Sequence, residues 1–149
     1  KDYLKGIKLN NKGHISIEDL QEGFIFPILT TNISNDSITN YLNLIKGDNL
    51  HSSQELLIAP PAAIAGIAIG QIINTLEFPA GVIHLSQEIE IVEKLESNNS
   101  IDIKVIIEQK KPRKAVTLMT LSYEVTNTKT SASILKSKTT FIVPESKNI

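Results

Sequence analysis

The chain has 149 residues, a formal net charge of −1 at pH 7 and no cysteine. Its length predicts a single domain over residues 1–149, with a core at about 15–145. Apolar residues make up 41% and charged residues 21%, which excludes a disordered chain. Without cysteine there are no disulfides, thiolate nucleophiles or thiolate metal sites. We expect a cytoplasmic protein.

The scattered charges give no basic stripe for a phosphate backbone, so we expect no nucleic-acid partner. One basic cluster, Lys110 to Lys114 around Pro112, is interpreted as a solvated hairpin turn. The most apolar stretch, Leu56 to Leu76, contains two prolines and two glycines, and its apolar run is too short to span a bilayer. We therefore expect a buried helix there and no membrane partner.

The first elements are short. Ser16 to Leu20 fits one helical turn. Phe24, Phe26 and Ile28 then alternate as on a strand, and Pro27 within that run indicates an edge position or a bulge.

A first helix is predicted from Ser34 to Gly47. Ser34 is a good N-cap, Asp36 lies in the first turn, and Gly47 stands where a C-cap belongs. One apolar face is formed by residues at helical spacing, namely Ile38, Tyr41, Leu42 and Ile45.

A second helix is predicted from about Pro61 to Leu76, because proline is tolerated in a first turn. Its body is apolar almost all round, so it must be buried on several sides. Small residues along it, namely Ala63, Gly66 and Gly70, would let a neighbouring element approach closely.

From Val82 onward the apolar period becomes two, which predicts four strands in an antiparallel meander. Together with the earlier strand this gives about five. A sheet with one apolar face needs a cover, and the long apolar helix is the only candidate. The predicted class is α+β, with an antiparallel sheet wrapped around a central helix. This is the hot-dog arrangement.

The segment from Phe78 to Ile91 resembles the strand that follows the central helix in MaoC-like hydratases and dehydratases. The helix from Ser34 to Gly47 and the Asp48 after it are similar to that family's first helix and its Gly-Asp ending. Asp19-Leu20 with Gly23 is similar to its N-terminal entry. The resemblance covers roughly residues 15–145.

The resemblance implies a site. In the family, a Gly-Asp-x-Asn-Pro-x-His segment supplies an Asp and a His as the acid/base pair that adds or removes water. The matching segment here is Gly47 to His51, which is two residues shorter and lacks the proline, so Asp48 and His51 are the candidate catalytic residues. The alternative is that Asp48 interacts with its own turn and His51 is a solvated loop residue.

The start of the central helix is the second implied site. Family hydratases open this helix with His-Gly, and the glycine amide helps to bind the thioester oxygen. Here the aligned pair is Pro60-Pro61, and proline has no N–H. The candidate substrate-binding residues are therefore Pro61, Ala62 and Ala63, with the amide of Ala62 or Ala63 as donor.

Two polar residues on the strand after that helix complete the candidates. Gln87 is predicted on one face with Ile83, Leu85, Ile89 and Ile91, where it either ties the strand to the helix or reaches a ligand. His84 is predicted on the opposite face beside Ser86, solvated or at a dimer contact. His14, His51 and His84 lack metal-ligand spacing, and we expect neither a metal nor a cofactor.

Three functions stay open. The first is an (R)-specific enoyl-thioester hydratase or 3-hydroxyacyl-thioester dehydratase acting on acyl groups carried by coenzyme A (CoA) or acyl carrier protein (ACP). The second is a hot-dog domain that binds an acyl group or a partner subunit without catalysis. The third is a thioesterase. The resemblance also implies a homodimer or a higher homo-oligomer with the acyl tunnel between protomers.

Overall fold

A computed structural model describes residues 9–10 and 12–145 of the chain. Residues 1–8, 11 and 146–149 of the predicted domain lie outside the described part. The strands and helices follow in chain order: β1 (Ile15–Ser16), β2 (Leu29–Ile33), α1 (Asn35–Ile45), α2 (Pro61–Thr75), β3 (Leu76–Glu77), β4 (Ile83–Ile91), β5 (Asn99–Arg113), β6 (Val116–Asn127) and β7 (Ser133–Pro144). One 3-10 turn, Ile17–Asp19, lies inside the turn predicted from Ser16 to Leu20.

Five strands form one antiparallel sheet in the order β2-β5-β6-β7-β4. The predicted meander of four strands is right for the hydrogen-bonded run β5-β6-β7 and wrong for β4, which pairs with β7 instead of β5. The strand that follows the central helix, β4, adds to the far side of β7 and forms one edge. A separate parallel pair joins β1 to β3. The α+β prediction of about five antiparallel strands is therefore confirmed.

Helix α2 lies against the inner face of this sheet. Its buried side chains are Ala63, Ile64, Ala65, Ala68 and Ile72. They belong to one core cluster with the alternating inner residues of β5, β6 and β7, such as Ile103, Leu121 and Phe141. The apolar side chains of α2 that face the sheet are thus buried inside the protein. Among the described residues, no helix is long and apolar enough to cross a membrane.

One line of residues along α2 is exposed to solvent, and we call it the open line of α2. Ala62, Gly66 and Ile73 are exposed although the helix is apolar almost throughout. A Cβ built at Gly66 or Gly70 would meet no atom within 4 Å. This face therefore has no neighbour within the described chain, although helices of such composition are normally covered.

Strand β4 contains an irregularity that changes the predicted faces. The register to β7 shifts between His84 and Ser86, so Leu85 is an extra residue, as in a β-bulge. His84 pairs with Phe141 and Gln87 with Thr139, two inner-face residues of β7. Ile83 instead pairs with the outer-face Ile142. The prediction that His84 and Gln87 lie on opposite faces is wrong, because the inserted residue reverses the alternation.

The strand predicted around Phe24 to Ile28 is displaced. The regular strand is β2, which begins at Leu29. The earlier residues still reach the sheet, since Phe26 N donates to Val105 O at 3.0 Å and Ile107 N donates to Phe24 O at 2.9 Å. Pro27, which has no N–H to donate, lies between this bridge and the regular strand.

The basic cluster is not a turn as a whole. Lys110 to Arg113 continue β5, including Pro112, and the turn to β6 is Lys114-Ala115 alone. Lys114 has a φ of 48°, which lets two residues reverse the chain. The Lys110 ammonium donates to the carbonyls of Glu18 and Leu20, both at 2.7 Å. Lys110 therefore ties the N-terminal segment to β5.

Helix α1 begins as predicted and ends one residue earlier. Ser34 is the N-cap, and its Oγ accepts from the amide of Ser37 at 3.1 Å. At the other end Lys46, not Gly47, takes the left-handed conformation, with a φ of 54°. Gly47 N then donates to Leu42 O at 2.9 Å. The predicted C-cap at Gly47 is thus wrong by one position.

Replacing Ser34 with alanine is expected to lower the free energy of unfolding by about 1 kcal/mol, because the Ser37 amide loses its acceptor. Denaturant unfolding measures the change. The matched control is Asn40→Ala, at an exposed position inside α1, which should stay within about 0.5 kcal/mol of the parent. A Ser34→Ala protein as stable as the control would show that water replaces the cap.

Candidate functional site

The segment with the candidate acid and base lies between α1 and α2. The side chains of Asp48 and His51 are both exposed. His51 forms an isolated antiparallel bridge with Leu57, and Ile58 N donates to Leu50 O at 2.8 Å. The chain therefore doubles back and brings His51 beside the residues that enter α2.

The first turn of α2 offers one free donor. Pro60 is the N-cap and Pro61 the first helical residue. The amide of Ala63 donates to Pro60 O at 2.9 Å. The amide of Ala62 has no hydrogen-bond acceptor among residues 9–10 and 12–145. Of the two amides considered from the sequence, Ala62 is the one left available at the positive end of the helix.

The side chains of Asp48 and His51 do not interact with each other. Within the described part of the chain, neither side chain has a hydrogen bond or an ion pair. No hydrogen bond or ion pair in the described part of the chain therefore orients the two side chains toward each other. Their roles as acid and base remain predictions.

Gln87 is fixed by a tyrosine that the sequence reasoning missed. Gln87 Nε2 donates to the hydroxyl of Tyr123 at 2.8 Å, and that hydroxyl lies 3.4 Å from the carbonyl oxygen of Ala65 on α2. Burial raises the pKa of Tyr123, and this effect outweighs its hydrogen bonds with Ser137 and Gln87. The Tyr123 phenol is therefore neutral at pH 7 and serves as a hydrogen-bonding group. The sequence does contain a signal for a buried Tyr123, because this residue stands at an apolar position in the alternation of β6.

His84 is fixed in a similar way. Its Nε2 lies 2.7 Å from the Oγ1 of Thr139, a fully buried residue on β7. Its ring packs on Phe141, with centroids 5.1 Å apart. Thr139 is also the register partner of Gln87. His84 and Gln87 thus lie on the same face of β4, which the sequence did not predict because it placed His84 on the other face. The His84 side chain is nevertheless exposed, as predicted for a solvated histidine.

A groove of about 570 Å³ lies on the sheet. Its lining combines charged residues of the outer face with Tyr123 and Ser137. Acidic and basic side chains alternate across its strands, as Glu90, Lys136, Glu124 and Lys104 do in register. None of the predicted site residues lines it. The pattern is that of a solvated sheet face held together by opposite charges across strands.

A charged group beside this groove is Glu108. Hydrogen bonds from Lys138 and Ser122 lower the pKa of its carboxyl group. The Lys138 ammonium lies 2.7 Å from Glu108 Oε1, and both side chains are partly exposed. A surface pair of this kind contributes little to stability.

In the described part of the chain, no group of three His, Asp or Glu side chains could hold a metal ion. Asp48 and His51 are exposed titratable residues in the segment between α1 and α2.

Comparison with known proteins establishes the fold. No protein-family model and no curated protein matches this chain. Among solved structures, it is similar to a monoamine oxidase regulatory protein from Archaeoglobus, with a TM-score of 0.74 at 16% identity over 90% of this chain and 97% of that one. It is also similar to a MaoC-like dehydratase from Rhodospirillum rubrum, with a TM-score of 0.71 at 16% identity over 88% and 97% of the two chains.

An (R)-hydratase from Pseudomonas aeruginosa is a further similar structure, with a TM-score of 0.68 at 14% identity over 87% of this chain and 85% of that one. The chain thus has the hot-dog fold, and the predicted resemblance to MaoC-like structures is confirmed at the level of fold. Identities this low carry no residue roles, so the activity has to be argued from the site.

Proposed function

We propose that this chain is a hydratase or dehydratase that acts on an acyl thioester carried by CoA or ACP. The observation that supports the proposal is the path of the backbone before α2. The His51–Leu57 bridge brings the Asp48 to His51 segment beside the helix entrance, and the free amide of Ala62 lies just inside it. The names of the similar hydratase and dehydratase structures agree with it.

In the proposed reaction, a water oxygen bonds to C3 of a 2-enoyl thioester and C2 takes a proton. Asp48 accepts a proton from the attacking water, and His51, as its acid/base partner, donates the proton that C2 takes, so that the water supplies in net both the C3 hydroxyl and the C2 hydrogen. The thioester oxygen carries the negative charge that develops between these steps, and the Ala62 amide donates a hydrogen bond to it. Dehydration is the reverse, and both leave the thioester intact. The (R) stereochemistry belongs to the same proposal.

The test is hydration of crotonyl-CoA, followed by the loss of the conjugated thioester absorbance. Asp48→Asn and His51→Ala should each lower the rate by about 10²- to 10⁴-fold, the usual contribution of one acid or base. Asp19→Asn and His14→Ala make the same chemical changes elsewhere and should keep the parental rate. Full activity in the Asp48 and His51 variants would refute the assignment.

The exposed, unpaired state of Asp48 and His51 favours a second candidate function, an acyl-binding or partner subunit without catalysis. It predicts saturable binding of acyl-CoA with no turnover of crotonyl-CoA. Measuring turnover and binding on the same preparation separates the two functions.

We also propose that two copies pair along β4. This strand is an edge of the sheet and presents unpaired backbone groups. Large apolar side chains on it are exposed, namely Ile83, Leu85, Ile89 and Ile91. An unprotected apolar edge fits a second copy, and we propose that this copy closes the acyl site.

A further inference from the structure

The turn before α2 contains one buried polar side chain. Ser52 is buried, whereas the residues that follow it in the turn, Ser53, Gln54 and Glu55, are exposed. A buried hydroxyl group needs hydrogen-bond partners within the protein. The Ser52 Oγ accepts hydrogen bonds from the amides of Gln54 and Leu56, both at 3.3 Å. These two bonds use both acceptor sites of the hydroxyl oxygen.

Backbone hydrogen bonds of Ser52 close the same turn. Its amide donates to Leu56 O at 2.8 Å, and its carbonyl oxygen accepts from the Glu55 amide at 3.0 Å. Glu55 has a φ of 61°, a left-handed conformation that costs free energy for a residue other than glycine. The turn therefore depends on its hydrogen bonds, because the backbone preference of Glu55 opposes it.

The turn determines the position of His51. The hydrogen bonds on either side of the His51–Leu57 bridge are donated by the amides of Ser52 and Ile58. In an antiparallel ladder this pattern makes His51 and Leu57 a non-hydrogen-bonded pair, whose Cα atoms are about 4.5 Å apart. The two residues share no backbone hydrogen bond, so the bonds from Ser52 and Ile58 hold His51 opposite Leu57.

The segment on the other side of this bridge is fixed to the rest of the protein. Leu57 O accepts from the amide of Ser97 at 2.7 Å, and the amide of Ala59 donates to Leu95 O at 2.8 Å. Ala59, Leu95 and Ser97 are all buried. Ala59 is followed directly by Pro60, the N-cap of α2. The segment around Leu57 thus has a fixed place at the start of the helix, and the turn at Ser52 attaches His51 to it.

An acid/base group works only when it lies within hydrogen-bond reach of the reacting atoms. A displacement of about 1 Å can lower a rate about 10²-fold. We propose that Ser52 is a positioning residue, whose hydroxyl group holds the turn that sets the place of His51 relative to the Ala62 amide. The inference rests on the proposed hydratase or dehydratase function, in which His51 donates the proton that C2 takes.

The variant Ser52→Ala removes the acceptor of the Gln54 and Leu56 amides. For hydration of crotonyl-CoA we expect kcat to fall by about 10- to 100-fold. KM should change little, because His51 acts on the reacting atoms and is not assigned to binding of the thioester. Rates are measured well below the unfolding temperature of each variant, so that all of the protein is folded.

The matched control is Ser97→Ala. It removes the same hydroxyl group from a second buried serine, which also bonds to the segment around Leu57 through its backbone. The Oγ of Ser97 has no hydrogen-bond partner in the described part of the chain. Its loss should therefore leave kcat at the parental value.

A double-mutant cycle separates positioning from general damage to the structure. In the His51→Ala background, Ser52→Ala should change the residual rate by less than about twofold, because no imidazole remains to be positioned. Amide hydrogen exchange supplies a readout without turnover. Exchange at Gln54 and Leu56 should accelerate in Ser52→Ala and stay parental in Ser97→Ala.

The outcomes separate the inference from the function beneath it. A parent protein that does not hydrate crotonyl-CoA would show that the proposed function is wrong, and the inference falls with it. If the parent is active and Ser52→Ala keeps its kcat, the inference is wrong and the function stands. Equal losses in the parental and His51→Ala backgrounds would overturn the positioning role.

Discussion

Replacing Leu121 with alanine is expected to lower the free energy of unfolding by about 2 to 5 kcal/mol. Leu121 lies on β6, the central strand of the sheet, and none of its surface is exposed. Its neighbours across the strands, Ile107 and Thr139, are also fully buried. Strands on both sides keep their positions, so the lost atoms leave a cavity as well as lost burial. Urea unfolding measures the change.

The control is Leu44→Ala, which removes the same atoms from a side chain that is 84% exposed on α1. It should change the free energy of unfolding by no more than about 0.5 kcal/mol. Equal losses in the two variants would contradict the described core, because they would mean that Leu121 is no better buried than Leu44.

The sequence predicted the fold because its two apolar periods are unambiguous. Alternation at period two runs through most of β5, β6 and β7, interrupted by register shifts after Ile107 and after Val125. The apolar run of α2 is too long for a strand. A helix of that composition needs burial and a sheet of that length needs a cover, so each element implied the other. Helix α1 was predicted by its cap and spacing for the same reason.

Two local details could not be predicted from the sequence, because each depends on the backbone conformation of a single residue. Counting from Ile83 assigns Gln87 to the same face as Ile83, since a period of two cannot reveal an inserted residue. The bulge at Leu85 places His84 with Gln87 instead. Similarly, the sequence favours Gly47 for the left-handed conformation at the end of α1, because glycine adopts it most easily. In the structure, the preceding residue Lys46 adopts it instead.

The candidate site was predicted in part. The helix entrance and its free amide follow from two prolines, which remove the donors that a helix start normally offers. The partners of Gln87 could not be predicted, because Tyr123 and Thr139 lie far away in sequence and meet it only through strand register. Register is a property of the whole sheet.

Charging the free edge of the sheet is expected to separate the proposed dimer into monomers. The variant Leu85→Lys/Ile91→Lys places an ammonium on each of two β4 side chains that are 54% and 62% exposed in one copy. Fully burying such a side chain contributes about 1.5 to 3 kcal/mol, and each copy loses two. Lysine on an edge strand also opposes pairing with another strand. The dissociation constant should therefore rise by at least about 100-fold.

Analytical ultracentrifugation over a range of concentrations measures this change. Leu44→Lys is the control, because it charges a similarly exposed apolar residue that lies on α1 instead of the edge. It should keep the dimer mass. A parent chain that is monomeric at micromolar concentration would refute pairing through β4, and a double variant that stays dimeric would move the interface to another surface. If the second copy closes the acyl site, the separated variant should also lose acyl-CoA binding, since the open line of α2 would then face water.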